Sequence, residues 1–65
     1  MKITVNAVPH EVSATVLSGV LDELGLSSSA MATALNGLFV PRDARATSTL
    51  NDGDQLEVLA PMQGG

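Results

Sequence analysis

The sequence of 65 residues contains no cysteine, tryptophan or tyrosine, and Phe39 is its only aromatic residue. Without cysteine, no disulfide can stabilise the fold. Structural zinc sites are excluded as well, because they need clusters of Cys and His, and His10 is the only histidine. Because aromatic residues are almost absent, the core must be aliphatic. The stability of the fold should be modest, since a chain of this length buries only about 60% of its unfolded surface.

Basic residues are scarce, because three lysines and arginines stand against seven acidic residues and leave a net charge of −4. Lys2, Arg42 and Arg45 are too few and too scattered to follow a phosphate backbone, which argues against nucleic-acid binding. Long apolar runs are absent too, so we expect neither a signal peptide nor a membrane span. Together with the lack of cysteine, this favours a cytoplasmic location.

Alternation of apolar and polar residues predicts a strand over residues 2–6. A second strand is expected around residues 10–13, with Val12 facing inward, and the two strands should pair as an antiparallel hairpin. We expect the turn between them to cover residues 6–9, because Asn and Pro favour turns. His10 would then lie on an edge hairpin.

Apolar side chains that recur at helical spacing predict a helix from Val16 to Leu24. Thr15 is the predicted N-cap, and Gly25 suits the left-handed position after the last turn. Gly19 in mid-helix is expected to allow close packing against the sheet. Acidic residues 22–23 are interpreted as the solvated face of the helix.

The second half of the sequence contains three further strand patterns, at residues 30–36, 38–40 and 55–60. Asn36-Gly37 is a strong signal for a tight hairpin, and residues 51–54 predict another turn. The intervening residues 42–50 are polar and irregular, and we expect their two arginines to be solvated.

The predicted element order is therefore β-β-α-β-β-β. One helix covers only one face of a small sheet, which gives an α+β roll. The first and last strands can lie side by side and parallel in the centre of a mixed sheet of five strands, or of four plus one. This is the ubiquitin-like β-grasp arrangement, predicted as one domain of residues 1–60 with a flexible tail of residues 61–65.

No catalytic set is apparent in the sequence. A nucleophile needs a base within hydrogen-bond reach, and His10 is better interpreted as a solvated surface histidine. Asp52 and Asp54 belong to a turn, where Asp serves the backbone. The isolated glycines form no phosphate-binding loop. We therefore predict that the protein is not an enzyme and holds neither a metal nor a bound cofactor.

The last two residues, Gly64-Gly65, form the thinnest backbone that a chain can present, because glycine has no Cβ. Such a tail can enter a narrow channel, and it ends in an unhindered carboxylate. Once activated, for example as an acyl-adenylate, a carboxylate can be converted to a thiocarboxylate. Because the chain has no cysteine, any sulfur that it carries must sit on Gly65. The alternative is a featureless terminus.

Motifs spread over nearly the whole chain carry a family resemblance: Ile3-Thr4-Val5-Asn6, Thr15-Val16, Leu24-Gly25-Leu26, Leu35-Asn36-Gly37, Val40-Pro41-Arg42, Asp52-Gly53-Asp54, Leu56-Glu57-Val58 and Gly64-Gly65. In these motifs the sequence resembles the ThiS family, the sulfur carriers of thiamin biosynthesis. The Asn-Gly to Val-Pro-Arg hairpin discriminates best, because Gly-Gly ends many ubiquitin-like modifiers.

The resemblance implies that a ubiquitin-activating-like enzyme adenylates Gly65 with ATP and magnesium. A persulfide relay fed by a cysteine desulfurase would then form the thiocarboxylate, and thiazole synthase would take the sulfur. The protein would be a substrate in these steps, with Gly64 as a steric requirement and Met62 and Gln63 as the rest of the threaded tail. A monomer is the expected state.

Small and apolar side chains on the outward face of the sheet suggest a partner-docking patch. We predict that it comprises Ala32, Ala34, Phe39 and Leu59, with Met62 nearby. The alternative is that Phe39 folds into the core.

Other functions remain open on the sequence alone. The small subunit of molybdopterin synthase and sulfur carriers of other pathways share the fold and the Gly-Gly chemistry. A ubiquitin-like modifier conjugated to lysines through Gly65, or an interaction module with an inert tail, would belong to a different class.

Overall fold

The structure is a computed structural model that describes residues 1–26 and 32–59. Within these two ranges the chain forms five strands, one α-helix and one 3₁₀ helix: β1 (Lys2–Val5), β2 (Val8–Glu11), α1 (Leu17–Glu23), β3 (Ala32–Leu35), β4 (Leu38–Val40), the 3₁₀ helix (Arg42–Thr47) and β5 (Gln55–Leu59). The predicted linker at residues 27–29, and Ala30, Met31 and Ala60 of the predicted strands, lie outside the described residues.

The strands form one mixed sheet in the order β2-β1-β5-β3-β4. β1 and β5 are parallel neighbours in its centre, with Thr4 opposite Gln55 and Val5 opposite Leu56. The other pairs, β1 with β2, β3 with β5 and β3 with β4, are antiparallel. The sheet and the single described α-helix confirm the predicted ubiquitin-like β-grasp fold.

The core is aliphatic, as the composition requires. Its buried hydrophobic side chains come from the inward positions of the strands, from α1 and from the loops: Ile3, Val5, Val12, Leu17, Val20, Leu21, Val40, Leu50, Leu56 and Val58. Leu50 belongs to the segment that was predicted as polar and irregular, so the sequence pattern missed one core position there.

The first hairpin turns earlier than predicted. Asn6 and Ala7 both have positive φ, of 50° and 72°, so the turn has two residues and β2 already begins at Val8. Pro9 is therefore a strand residue, opposite Thr4. The sheet tolerates it because β2 is an edge strand whose outer side needs no N–H donor.

Helix α1 begins one residue later than predicted, and Thr15 is not its N-cap. The N-cap is Val16, whose side chain makes no capping hydrogen bond. The N–H of Leu17, which has no partner within the helix, instead donates to the carbonyl of Ser48 at 2.9 Å. Val16 forms an isolated antiparallel β-bridge with Thr49. The segment after the 3₁₀ helix thus takes the place of a side-chain cap. This contact joins parts of the chain that are distant in sequence.

The end of α1 agrees with the prediction. Gly25 has a φ of 75°, and its N–H donates to the carbonyl of Asp22 at 3.1 Å. The next N–H, from Leu26, donates to the carbonyl of Leu21 at 2.7 Å. These two bonds form a Schellman motif, which needs the left-handed conformation that glycine adopts without strain.

The loop that precedes α1 lies against the helix. A Cβ on Gly19 would lie 3.0 Å from the Cβ of Ala14, so Gly19 permits close approach of this loop and not, as predicted, of the sheet. Glu23 is also more than a solvated residue, because its carboxylate accepts the N–H groups of Ser13 and Ala14 at 2.9–3.0 Å.

The predicted irregular segment contains the 3₁₀ helix, and its two arginines differ. Arg42 is exposed, whereas Arg45 is only 9% exposed. Nε of Arg45 donates to the hydroxyl of Thr33 at 3.2 Å, and this hydroxyl donates to the carbonyl of Val40 at 2.8 Å. The prediction that Arg45 is a solvated loop charge is therefore wrong, because its guanidinium packs beneath the sheet.

Glu23 should make the stability depend on pH. The backbone N–H of Ala14, followed by that of Ser13, lowers the pKa of the Glu23 carboxyl from its usual 4.5. A lowered folded-state pKa stabilises the fold above pH 4.5, and this stabilisation is lost as the pH falls through the folded value. We expect Glu23→Gln to lower Tm at neutral pH and to flatten the decline of Tm on acidification. Thermal unfolding between about pH 3 and pH 7 measures both effects.

The control is Glu57→Gln, which makes the same change of charge on β5 and removes no contact to the loop before α1. Parallel curves of Tm against pH for the wild type and Glu23→Gln would contradict the assigned role.

Candidate functional site

The predicted tail of residues 61–65 lies outside the described residues. It contains the predicted sulfur-bearing residue, Gly65, and the predicted threaded residues Met62, Gln63 and Gly64. The structure describes the strand from which they continue. Strand β5 ends at Leu59, between β1 and β3 in the middle of the sheet. The chain therefore passes from a central strand directly into its last six residues.

Strand β5 presents different side chains on its two faces. Leu56 and Val58 are buried against the helix side, whereas Glu57 and Leu59 are exposed on the outer face. This alternation agrees with the prediction for the last strand. Leu59, the last described residue before the tail, is therefore an exposed apolar side chain, 66% accessible.

The fold brings the four residues of the predicted docking patch together on the outer face. Leu59 lies opposite Ala32, and Phe39 lies opposite Ala34, across neighbouring strand pairs. All four line a shallow depression of about 130 Å³. Phe39 is 70% exposed, so the alternative in which it folds into the core is wrong. We call Ala32, Ala34, Phe39 and Leu59 the apolar patch.

Glu57 borders the apolar patch and was not predicted as a site residue. It lies opposite Ala34 and contributes to the same depression. On its other side is an open polar cleft of about 770 Å³, which lies between the two hairpin turns and is lined by Thr4, Asn6, Ala7, Asn36, Gly37, Gln55, Leu56 and Glu57. The outer face thus combines an apolar half and a polar half, with an acidic residue at their boundary.

The two carboxylates of the turn at residues 51–54 serve the fold. Asp52 accepts the N–H of Lys2, and Asp54 accepts the N–H of Asn51, as predicted for turn residues. His10 is half-buried opposite Ile3, and so is less solvated than predicted. Residues 1–26 and 32–59 bring no three His, Asp or Glu side chains together as a metal site. No helix in these ranges is long and apolar enough to cross a membrane.

Known proteins with a similar sequence share the fold described above. The model of the ThiS family matches residues 3–65. A crystal structure of the thiamine biosynthesis protein ThiS from Geobacter metallireducens superposes with a TM-score of 0.84, at 32% identity over all of both chains. A solution NMR structure of a thiamine biosynthesis protein from Geobacter metallireducens gives a TM-score of 0.79, at 32% identity over all of this chain and 88% of that one.

A thiazole synthase from Paramagnetospirillum magneticum is 36% identical over 66 aligned residues, which cover all of this chain but only 20% of that protein. The chain thus spans a fifth of the length of this relative. The fold defines the protein as a member of the ubiquitin-like β-grasp class. Within that class, the match over residues 3–65 shows that it belongs to the ThiS family.

The exposure of Phe39 can be tested by stability. Phe39→Thr keeps a residue that favours strands and should change the free energy of unfolding by no more than about 0.5 kcal/mol, because an exposed side chain leaves no cavity. The matched control is Val40→Thr on the same strand, where the hydroxyl would enter the core and cost about 1–3 kcal/mol. Urea unfolding measures both. An equal loss for the two variants would place Phe39 in the core.

Proposed function

We propose that this protein is a sulfur carrier of thiamin biosynthesis, and that the carboxylate of Gly65 bears the sulfur. The observation that carries the proposal is the family match, which runs to the end of the chain and includes Gly64-Gly65. The solved ThiS structures, which are described as thiamine biosynthesis proteins, support it through both fold and sequence.

The relative named thiazole synthase supports the choice of acceptor. In that protein a segment similar to this chain makes up 20% of the length, and the remaining polypeptide is about four times as long as the segment. Covalent linkage raises the effective concentration of one module at the other, which benefits two modules that act on each other. We therefore propose thiazole synthase as the acceptor of the sulfur.

The chemistry requires that the carboxylate be activated first. The Gly65 carboxylate attacks the α-phosphate of ATP, with magnesium neutralising charge, and pyrophosphate leaves to give an acyl-adenylate. A persulfide, supplied through a cysteine desulfurase, attacks the acyl carbon and displaces AMP. A thiol then cleaves the acyl disulfide, which forms a new disulfide and frees the thiocarboxylate. All catalysis belongs to the partner enzymes, and this protein is their substrate.

The apolar patch is the proposed docking surface for these partners. Its two large side chains, Phe39 and Leu59, are exposed on the outer face of the sheet, and only Ala60 separates Leu59 from the tail. Six residues follow Leu59, so the terminal carboxylate can reach up to about 20 Å from the patch. A partner that covers the patch can therefore receive Gly65 in an active site within that distance, while Gly64 and Gly65 fit a narrow channel.

The proposed function predicts a specific change of mass. Incubation with ATP, cysteine, a cysteine desulfurase and the activating enzyme should replace one oxygen of the Gly65 carboxylate by sulfur. A single replacement is expected because Gly65 is the one acceptor that we propose. Intact-mass spectrometry detects this gain, and deletion of Gly65 should abolish it. If partners that are active on another carrier produce no gain, the tail is conjugated or inert and the proposal fails.

The docking role predicts a separate effect on binding. Leu59→Asp should leave the fold intact and weaken binding to the activating enzyme at least about tenfold, because it puts a charge into an apolar contact. Leu38→Asp is the matched control, since Leu38 is 73% exposed but lies on the other face of β4 from Phe39. Binding isotherms measure both variants. Unchanged affinity for Leu59→Asp would exclude the patch.

A further inference from the structure

The parallel pairing of β1 with β5 ends before β5 does. The main chains are in register at Thr4 with Gln55 and at Val5 with Leu56. The N–H of Asn6 makes one more bond, to the carbonyl of Leu56 at 2.9 Å. The main chain of β1 then leaves the sheet in the two-residue turn, so the last part of β5 loses this neighbour's backbone.

From this point the side chain of Asn6 continues the hydrogen bonding to β5. Its Oδ1 accepts the N–H of Val58 at 2.9 Å, and its Nδ2 donates to the carbonyl of Val58 at 3.0 Å. One side-chain amide therefore satisfies both main-chain groups of one residue, as the backbone of a neighbouring strand would. Asn6 extends the sheet by one step, immediately before Leu59 and the tail.

Asparagine suits this position for two reasons. The φ of Asn6 is 50°, and asparagine tolerates the left-handed region better than other residues with a side chain. Its amide also carries both a donor and an acceptor, whereas aspartate only accepts. A glycine would keep the turn but lose both bonds to Val58.

Asn36 is a natural counterpart at the opposite end of β5. It has a φ of 51° in the second hairpin turn, and its Oδ1 accepts the N–H of Gln55 at 2.9 Å. Two turn asparagines therefore hold the central strand, one at each end. Of these two asparagines, Asn6 is the one at the end from which the tail continues.

We infer that Asn6 is a positioning residue that fixes the direction in which the chain leaves β5, and so sets where the Gly65 carboxylate lies in the activating enzyme. This inference rests on the proposed function. Without the two bonds, the strand beyond Leu56 is supported on one side only, by β3. A strand end that is held on one side can shift, and this displaces the start of the tail that carries the Gly65 carboxylate.

Such a displacement should affect catalysis more than docking. The apolar patch lies on β3, β4 and β5, and three of its residues are untouched by the loss of Asn6. Misplacement of a reacting group by even 1 Å can cost about a hundredfold in rate. A substrate that docks normally but presents its carboxylate wrongly lowers kcat and leaves KM nearly unchanged.

The test compares Asn6→Gly with Asn36→Gly, which make the same change at equivalent turn positions. ATP–pyrophosphate exchange by the activating enzyme gives kcat and KM for each carrier. For Asn6→Gly we expect kcat to fall at least about tenfold and KM to stay within about twofold of the wild type. Asn36→Gly should keep both constants within about twofold. Hydrogen exchange of the Val58 amide should accelerate only in Asn6→Gly.

Several results would overturn the inference. These are an unchanged kcat for Asn6→Gly, equal losses in both variants, or an effect confined to KM. No exchange with the wild-type protein would overturn the proposed function as well, which separates the two failures. If Asn6→Gly does not fold, Asn6→Asp replaces it, because aspartate keeps the acceptor for Val58 N–H and lacks the donor. Its kcat should then lie below that of the wild type.

Discussion

The parallel pairing of β1 with β5 is the interaction on which the rest of this structure depends. It joins residues more than fifty positions apart, Thr4 with Gln55 and Val5 with Leu56, in a chain without disulfides. It also puts the last described strand in the middle of the sheet, where neighbours on both sides hold it. The tail therefore begins from a central strand and not from an edge, which would fray more readily.

Strand β5 contributes to stability with one face and to the proposed recognition of partners with the other. Its inward residues, Leu56 and Val58, belong to the core, and its outward residues, Glu57 and Leu59, belong to the surface that we propose as a docking site. Because successive side chains of a strand point to opposite faces, β5 can contribute to the core and to the proposed docking surface at the same time. In a domain this small, such double use matters, since few residues are available for either purpose.

Local patterns predicted the parts of the structure that local physics controls. Strand alternation, the Asn36-Gly37 turn and the left-handed Gly25 all follow from a few neighbouring residues. Several errors arose where distant segments meet. Leu17 is capped by the carbonyl of Ser48, so the helix needed no side-chain cap. Asn6 was correctly predicted as a turn former, but its two bonds to Val58 span 52 positions. No local pattern contains such a contact.

Under the proposed function, the activating enzyme supplies the chemistry and this protein is its substrate. This protein then contributes binding and the position of its carboxylate. Binding energy from a remote surface accelerates a reaction only if it is used to hold the reacting group in place. A patch alone would bind the partner without fixing the position of the carboxylate. The patch needs a fixed strand end beside it, and at Val58 that fixation comes from the side chain of one turn residue, Asn6.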